Sequence, residues 1–383
     1  MDFELSEQHK MVRDLMRDFV KKEVTPEVVR KFEEKEEFPK ELVRKLGERG
    51  FMGIFVPEEY GGFGIDILSY AIAEEELARV WASLGLIMSA NNSLSIYPIL
   101  KFGDERQKRK YLFSLAKGRF LGCLALTEPE AGSDLTSIRT FADKDGPYWR
   151  ISGGKTLITN ASEAQICVLV ARTGKDPHKG LTAFIIETNS PGFQAGKPEK
   201  KMGLLCSPTC GIVLDDCLVS QENILGNIGD GFTIALETLF AGRINIGAQA
   251  LGIAQGAFDL ALAYTKERKQ FGRPISGFQN VQFKLADMAI GIETARNLVY
   301  KAAWLKDKGV PFAKEASMAK TYASEMAVEV VKSALRLHGG YGYLKSLDIE
   351  RYYRDVIVTT IYEGDNDSVQ RPNIAKYELG IYK

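Results

Sequence analysis

Apolar residues return at spacings of three and four from Leu5 to about Gly118, the repeat of an amphipathic helix. "SEQHKMVRDLMRDFVKKEV" carries that pattern, and "PKELVRKLGERG" starts after a proline and stops at Gly50. A glycine-rich connection, Val56 to Asp66, interrupts the helical texture. From about Phe120 to Leu225 short runs such as "WRISGGKTLITN", "ICVLVART", "LTAFIIET" and "GIVLDDCLV" take over, rich in β-branched residues and punctuated by Gly, Pro, Asp and Asn. After "GNIGDG" the helical pattern returns in long segments near Phe232 to Lys269, Phe278 to Lys308 and Phe312 to Leu337, the last closed by Gly339 and Gly340. The pattern predicts a mostly α chain with a central β domain. It divides into an N-terminal helical domain over 1–119, an antiparallel sheet or barrel over 120–225 and a C-terminal four-helix bundle over 226–383.

Composition narrows the function classes. The chain has 383 residues with 45% hydrophobic content, and 50 basic residues cancel 50 acidic ones. No whole-chain field draws in nucleic acid or an anionic membrane. Five widely spaced cysteines fit buried thiols in a reducing, intracellular setting, and with three histidines and a four-residue Cys206–Cys210 spacing the usual zinc pattern is missing. No metal is expected. "MDFELSEQHK" has no secretory h-region. The uncharged stretch Val80 to Leu100 contains Asn91, Asn92, three serines and Pro98, so it reads as a buried helix pair lining something polar rather than a membrane span.

Several common motifs fail on their own terms. "SGGKT" has Trp149 where a phosphate loop puts its first glycine. "GGFG" and "GGYG" lack the dinucleotide fingerprint order, and "EAGSD" is not a nucleophile elbow. In "VTTIYEGDNDSVQR", Val358 to Arg371, three carboxylates crowd one loop: Glu363, Asp365 and Asp367.

A constellation remains. "CLALTEPEAGSD" (Cys123 to Asp134) and "RLHGGYGYLKSLDIERYYRD" (Arg336 to Asp355) resemble the two signature segments of the acyl-CoA dehydrogenase family. "ERKQFGRPISGFQNVQFKLADMA" (Glu267 to Ala289) resembles its flavin-contacting helix pair, and the likeness runs through the whole chain. "MSANNSLSIYPILKFG" and "GRINIGAQALGIAQ" look most like the short-chain, butyryl-type members.

The resemblance implies FAD-dependent α,β-dehydrogenation of an acyl-CoA thioester, by an enzyme of the cytoplasm or, as a processed chain, of the mitochondrial matrix. That chemistry requires a base for the α proton and an acceptor for the β hydride; no side chain accepts hydride, so a flavin must. A carboxylate becomes a strong enough base when an apolar enclosure raises its pKa. By the resemblance Glu363 is that base, with the Gly364 region against the thioester. Other members place the base just before a helix arginine, and here that position is Gly242, beside Arg243.

Further roles carried over are cofactor contacts by Leu124, Thr127, Ser133 and Thr159 from the sheet domain. Arg268, Phe271 and Gln279 fall near the FAD phosphates, Gly339 and Gly340 allow close approach, and Asp365 and Asp367 are loop or cofactor contacts. Ser133 and Arg243 match CoA-side contacts, and Asn91 lies in the acyl-pocket segment. The chain departs from the family at Leu157 for a flavin-packing Trp, Arg336 for Gln, and Phe240 for an Asp on the CoA side. Five residues separate Gly364 from Gln370 where the family has four.

The inserted residue either bulges harmlessly or re-aims the base toward an unusual acyl group, such as a cyclic one. A flavin-free assembly protein and an oxygen-using oxidase are the other readings of this scaffold. The resemblance further implies an electron-transfer flavoprotein as acceptor and a homotetramer, a dimer of dimers that places Arg268 across a subunit interface.

Overall fold

The computed structural model describes residues 4–381. Seven helices open the chain: α1 (Glu7–Glu23), α2 (Pro26–Lys35), α3 (Lys40–Glu48), α4 (Ile67–Ala78), α5 (Ala82–Ser89), α6 (Tyr97–Phe102) and α7 (Glu105–Ala116). Their starts follow from side chains that satisfy free backbone N–H groups: Ser6 accepts from His9, Thr25 precedes Pro26, Asp66 accepts from Ser69, and Asp104 and Gln107 form a reciprocal box. The uncharged Val80 to Leu100 stretch is not one helix; a π turn over Ala90–Ile96 separates α5 from α6.

The middle domain is one sheet of β1 (Gly122–Ala125), β2 (Phe141–Asp145), β3 (Tyr148–Thr159), β4 (Ile166–Arg172), β5 (Leu181–Glu187), β6 (Phe193–Ala195), β7 (Thr209–Ser220) and β8 (Ile224–Leu225). The order is β6-β7-β3-β2-β4-β5-β8, with β1 beside β4. The expectation of an antiparallel sheet is corrected, because β1 runs parallel to β4 and β2 meets β4 in parallel at Phe141 and Arg172. β4 and β5 are buried almost throughout, and all five cysteines are buried.

The third region is dominated by α8 (Gly231–Glu267), 37 residues long; after the small hairpin β9 (Lys269–Gln270) and β10 (Arg273–Pro274) come α9 (Gln279–Asp307), α10 (Ala313–Leu337), α11 (Ile349–Val356) and α12 (Arg371–Glu378). Every residue from Ala241 to Ala254 is buried, so the middle of α8 is a core helix, and it carries Arg243, Asn245 and Gln249 inside the fold. It packs against α9 and α10, and also against α4 and α5 of the first region, so the bundle is completed by N-terminal helices. Among the described residues α8 is the one helix apolar and long enough to cross a bilayer, with 67% of that window buried inside the fold. The segment after α11, which carries Glu363, lies against α8 and α10.

Candidate active site

Glu363 sits at the turn that follows α11, in left-handed backbone with φ +52, and Gly364 continues the turn with φ +100. Holding a non-glycine residue there costs about 1 kcal/mol, and the surroundings fix it from three sides. Tyr362 donates its hydroxyl to Gln249 of α8. Gln370 Nε2 donates to the carbonyls of Glu363 at 3.2 Å and Gly364 at 2.9 Å. Lys320 of α10 donates to the Gly364 carbonyl at 2.9 Å and to Asn366 Oδ1 at 2.8 Å.

That clamp aims the carboxylate at Gly242 on α8. A β carbon at Gly242 would stand 2.1 Å from Glu363 Oε2 and 2.9 Å from its Cδ, so the carboxylate fills the space that the glycine leaves. Oε2 is sealed from solvent and has no hydrogen-bond partner. Burial raises the Glu363 pKa to about 7, against the pull of Arg243 and Lys320, which favour its charged form. Lys320 is itself lowered to about 7, chiefly by burial. Arg243 reaches the Glu363 carbonyl at 3.4 Å and Ser317 Oγ at 3.1 Å, with its guanidinium 4.7 Å over the Phe240 ring. Arg243, Phe240, Gly364 and Glu363 thus share one site.

The other two carboxylates of the loop do different work. Asp365 accepts from the backbone of Ser368 and Asp367 and from the Ser368 hydroxyl, which holds its pKa below the ordinary carboxylate range. Asp367 is exposed and pairs with Arg371 at 2.6 Å. Asn366–Gln370 forms a π turn in which the Gln370 N–H donates to the Asp365 carbonyl five residues back. A π turn accommodates one extra residue in a helical path. The π turn begins three residues after Glu363, downstream of its carboxylate.

From the sheet domain, Ser133 comes to this loop, 3.3 Å from Ser368 Oγ. Thr127 and Thr159 are half-buried, and the Thr127 carbonyl accepts from the Thr156 N–H at 2.9 Å. Leu124 is a buried core side chain. The structure corrects the assignment of Asn91 to the substrate: its amide donates to the carbonyls of Met52 at 3.1 Å and Leu115 at 3.4 Å and accepts from the Gly122 N–H at 2.9 Å, which ties β1 to the N-terminal helices.

Arg268, Gly339 and Gly340 gather elsewhere, in a cavity of about 490 Å³ also lined by Tyr264, His338 and Tyr341; no residue of the Glu363 cluster lines it. The Arg268 guanidinium lies 5.8 Å from the Tyr341 ring centre. Gln279 and Arg336 are exposed near that end of the helices.

These residues fit a dinucleotide. Gly339 has φ +62 and nothing within 4 Å of a would-be β carbon, which leaves its backbone open to a close neighbour. Leu157 is 63% exposed at a bulge in β3 and Phe271 is 92% exposed at the β9–β10 turn, both with positive φ. Two large apolar side chains held outward by left-handed backbone present surfaces for a flat partner.

Family models cover nearly the whole chain: the acyl-CoA dehydrogenase N-terminal domain matches residues 6–119, the middle domain 123–217 and the C-terminal domain 229–379. The chain belongs to the acyl-CoA dehydrogenase family. It is an FAD-dependent oxidoreductase. A Bacillus subtilis acyl-CoA dehydrogenase is 48% identical over 98% of this chain and 99% of its own. The structure of butyryl-CoA dehydrogenase from Megasphaera elsdenii superposes with a TM-score of 0.97 at 43% identity, covering 99% of this chain and 100% of that one. A chain described with the electron transferring flavoprotein of Acidaminococcus fermentans gives 0.97 at 46% identity, covering 99% and 100%.

Sequence reasoning on this acyl-CoA dehydrogenase missed Lys320 and Gln370, which hold the backbone at Glu363 and Gly364. Lys320 had a readable signal. It interrupts the buried face Ala316, Ala319, Ala323, Ala327 of α10, where a lysine must find a partner inside. Gln370 gave none, since its role depends on the π turn.

Proposed function

We propose that this chain dehydrogenates a short-chain acyl-CoA, with Glu363 as the base that removes the α proton. The observation that carries the reading is the Glu363 carboxylate, sealed against Gly242 with one oxygen unpartnered and a pKa of about 7. A base poised near the working pH is ionised and still avid for a proton. The α proton passes to Glu363 Oε2 as the Cα–Cβ double bond forms. FAD, when bound, supplies the acceptor for the hydride that leaves Cβ with its electron pair.

Arg243 and Lys320 keep the base ionised before the substrate arrives. Closure by the acyl-CoA excludes water and favours proton uptake. The likeness to butyryl-CoA dehydrogenase supports a short acyl chain, and the likeness to the Acidaminococcus chain supports an electron-transfer flavoprotein as electron acceptor. Leu157, Thr127 and Thr159 would meet the flavin ring, and Arg268 with Gly339 and Gly340 would hold FAD phosphates across a tetramer interface. Gln279, Arg336 and Phe271 lie at the margins of that contact.

Anaerobic bleaching of the flavin by butyryl-CoA tests the reading. Wild type bleaches, and Glu363→Gln slows bleaching by about 10³-fold or more while retaining FAD. Bleaching by Glu363→Gln at the wild-type rate would place the base elsewhere.

A further inference from the structure

Three consecutive glutamates on α4, Glu74, Glu75 and Glu76, are all buried, which is unusual for a charge run. Two have partners. Glu75 takes Arg296 at 2.9 Å and Tyr300 at 2.7 Å, and Glu76 takes Arg17 at 2.6 Å. Glu74 is 0% exposed and neither of its carboxylate oxygens has a hydrogen-bond partner. A glycine faces it: a β carbon at Gly85 would stand 2.5 Å from Glu74 Oε1.

Other unpaired polar atoms sit in the elements around it. Asn245 Oδ1 on α8 and Ser89 Oγ on α5 are buried without partners. They belong to a connected cluster, because Asn245 Nδ2 donates to Ser93 Oγ at 2.9 Å, and Tyr70, one turn before Glu74, bonds Ser93 Oγ at 3.2 Å and donates to the Ser89 carbonyl at 3.4 Å. Asn245 lies three residues along α8 from Gly242, about 4.5 Å in rise, so the cluster begins one turn from the space where Glu363 sits. The two carboxylates sense each other: Glu74 is raised to about 8 by burial and then by Glu363. An apolar acyl tail would leave these acceptors dry and unsatisfied, a costly arrangement. A hydrogen-bond donor on the tail would satisfy them.

We propose that Glu74 and Asn245 form the far end of the acyl pocket and select an acyl-CoA whose chain carries a hydrogen-bond donor, a hydroxyl or an amine, near its terminus. Glu74 is a specificity residue for the reaction read above, and the inference rests on that reading. Glu74, protonated at neutral pH, accepts from a hydroxyl through its carbonyl oxygen, and a cationic donor pulls it into the ionised form. Asn245 accepts through its amide oxygen. A rise of one helical turn corresponds to about four carbon–carbon bonds beyond the α carbon, which places the donor on the sixth carbon of the chain.

The test compares kcat/KM for anaerobic flavin reduction by hexanoyl-CoA, 6-hydroxyhexanoyl-CoA and 6-aminohexanoyl-CoA, on the holoenzyme and on Glu74→Met and Glu74→Gln. The wild type favours the hydroxyl or the amino chain over hexanoyl-CoA by tenfold or more, and Glu74→Met shifts that ratio by at least a hundredfold toward hexanoyl-CoA. Glu74→Gln retains a preference for the hydroxyl chain and loses one for the amino chain, which tells a neutral donor from a cation. If the variants do not fold, the wild-type ratio decides alone. A wild type that prefers hexanoyl-CoA overturns the proposal, as does a ratio that Glu74→Met moves by less than threefold. If no thioester, butyryl-CoA included, bleaches the wild type, it is the dehydrogenase reading that has failed.

Discussion

At Gly242 the space of one methyl group decides where the Glu363 carboxylate can stand. Gly242→Ala puts a β carbon 2.1 Å from Glu363 Oε2, and the carboxylate has to swing out. The backbone of α8 gains helix propensity from the change, by about 1 kcal/mol, which offsets part of the steric cost. The expected outcome is a protein with a thermal midpoint within a few degrees of wild type whose bleaching rate with butyryl-CoA falls about 100-fold. A variant at full rate would show that the carboxylate works from another position.

Lys320 acts on the same group through charge. The rate should rise with pH through about 7 as Glu363 ionises. The Lys320 cation stabilises the ionised form, so Lys320→Met raises the Glu363 pKa and moves the acid limb of the kcat/KM profile to higher pH. An unmoved limb would show that Lys320 only braces Gly364 and Asn366.

Among the elements, the π turn over Asn366–Gln370 falls where five residues separate Gly364 from Gln370 and the family resemblance implies four. Deleting Asp367, an exposed residue, restores the four-residue spacing and lets an α turn replace the π turn. Asn366 and Gln370 then still face α10 and the Glu363 carbonyl, so the butyryl-CoA rate should stay within about fivefold of wild type. Loss of bleaching in the deletion would mean that the extra residue aims the base.

The elements themselves were legible to different depths. The helices of the first and third regions announce themselves by apolar repeats and by caps such as Ser6, Asp66 and Asp104. The β runs were equally visible. Their parallel partnership was not, because the register of Cys123 with Cys167 joins segments more than forty residues apart and leaves no mark on either strand. Glu363 could be read from family motifs, whereas the role of Gly242 as its receptacle depends on a contact 121 residues away in sequence. Asn91 misled for a physical reason: a buried amide looks the same in sequence whether it serves a ligand or three backbone groups.

For the whole molecule, the cofactor and the assembly are one question. The Arg268 cavity shares no lining residue with the Glu363 cluster, although FAD has to reach both a phosphate clamp and the reacting carbons. A neighbouring chain resolves this if its Arg268 and Phe271 close over the flavin held against Leu157 and Thr159. Large apolar side chains stand out from the same helical region: Phe271 at 92%, Ile290 at 65% and Phe283 at 60% exposure. Exposure of that kind marks surfaces meant for a partner.

With the homotetramer that the family resemblance implies, the sedimentation mass of the holoenzyme should be four times the 42.5 kDa chain. Ile290→Glu, which places a charge on the apolar surface of α9, should lower the mass and release flavin together. Arg268→Ala should keep the wild-type mass and bind FAD about 10- to 100-fold more weakly, the loss of a charge-assisted phosphate contact of about 1.5–3 kcal/mol. Mass and flavin content then separate the two causes. A dissociated Ile290→Glu chain that keeps a full complement of FAD would show that one chain holds the cofactor alone, and Arg268 would revert to a surface charge beside Tyr341.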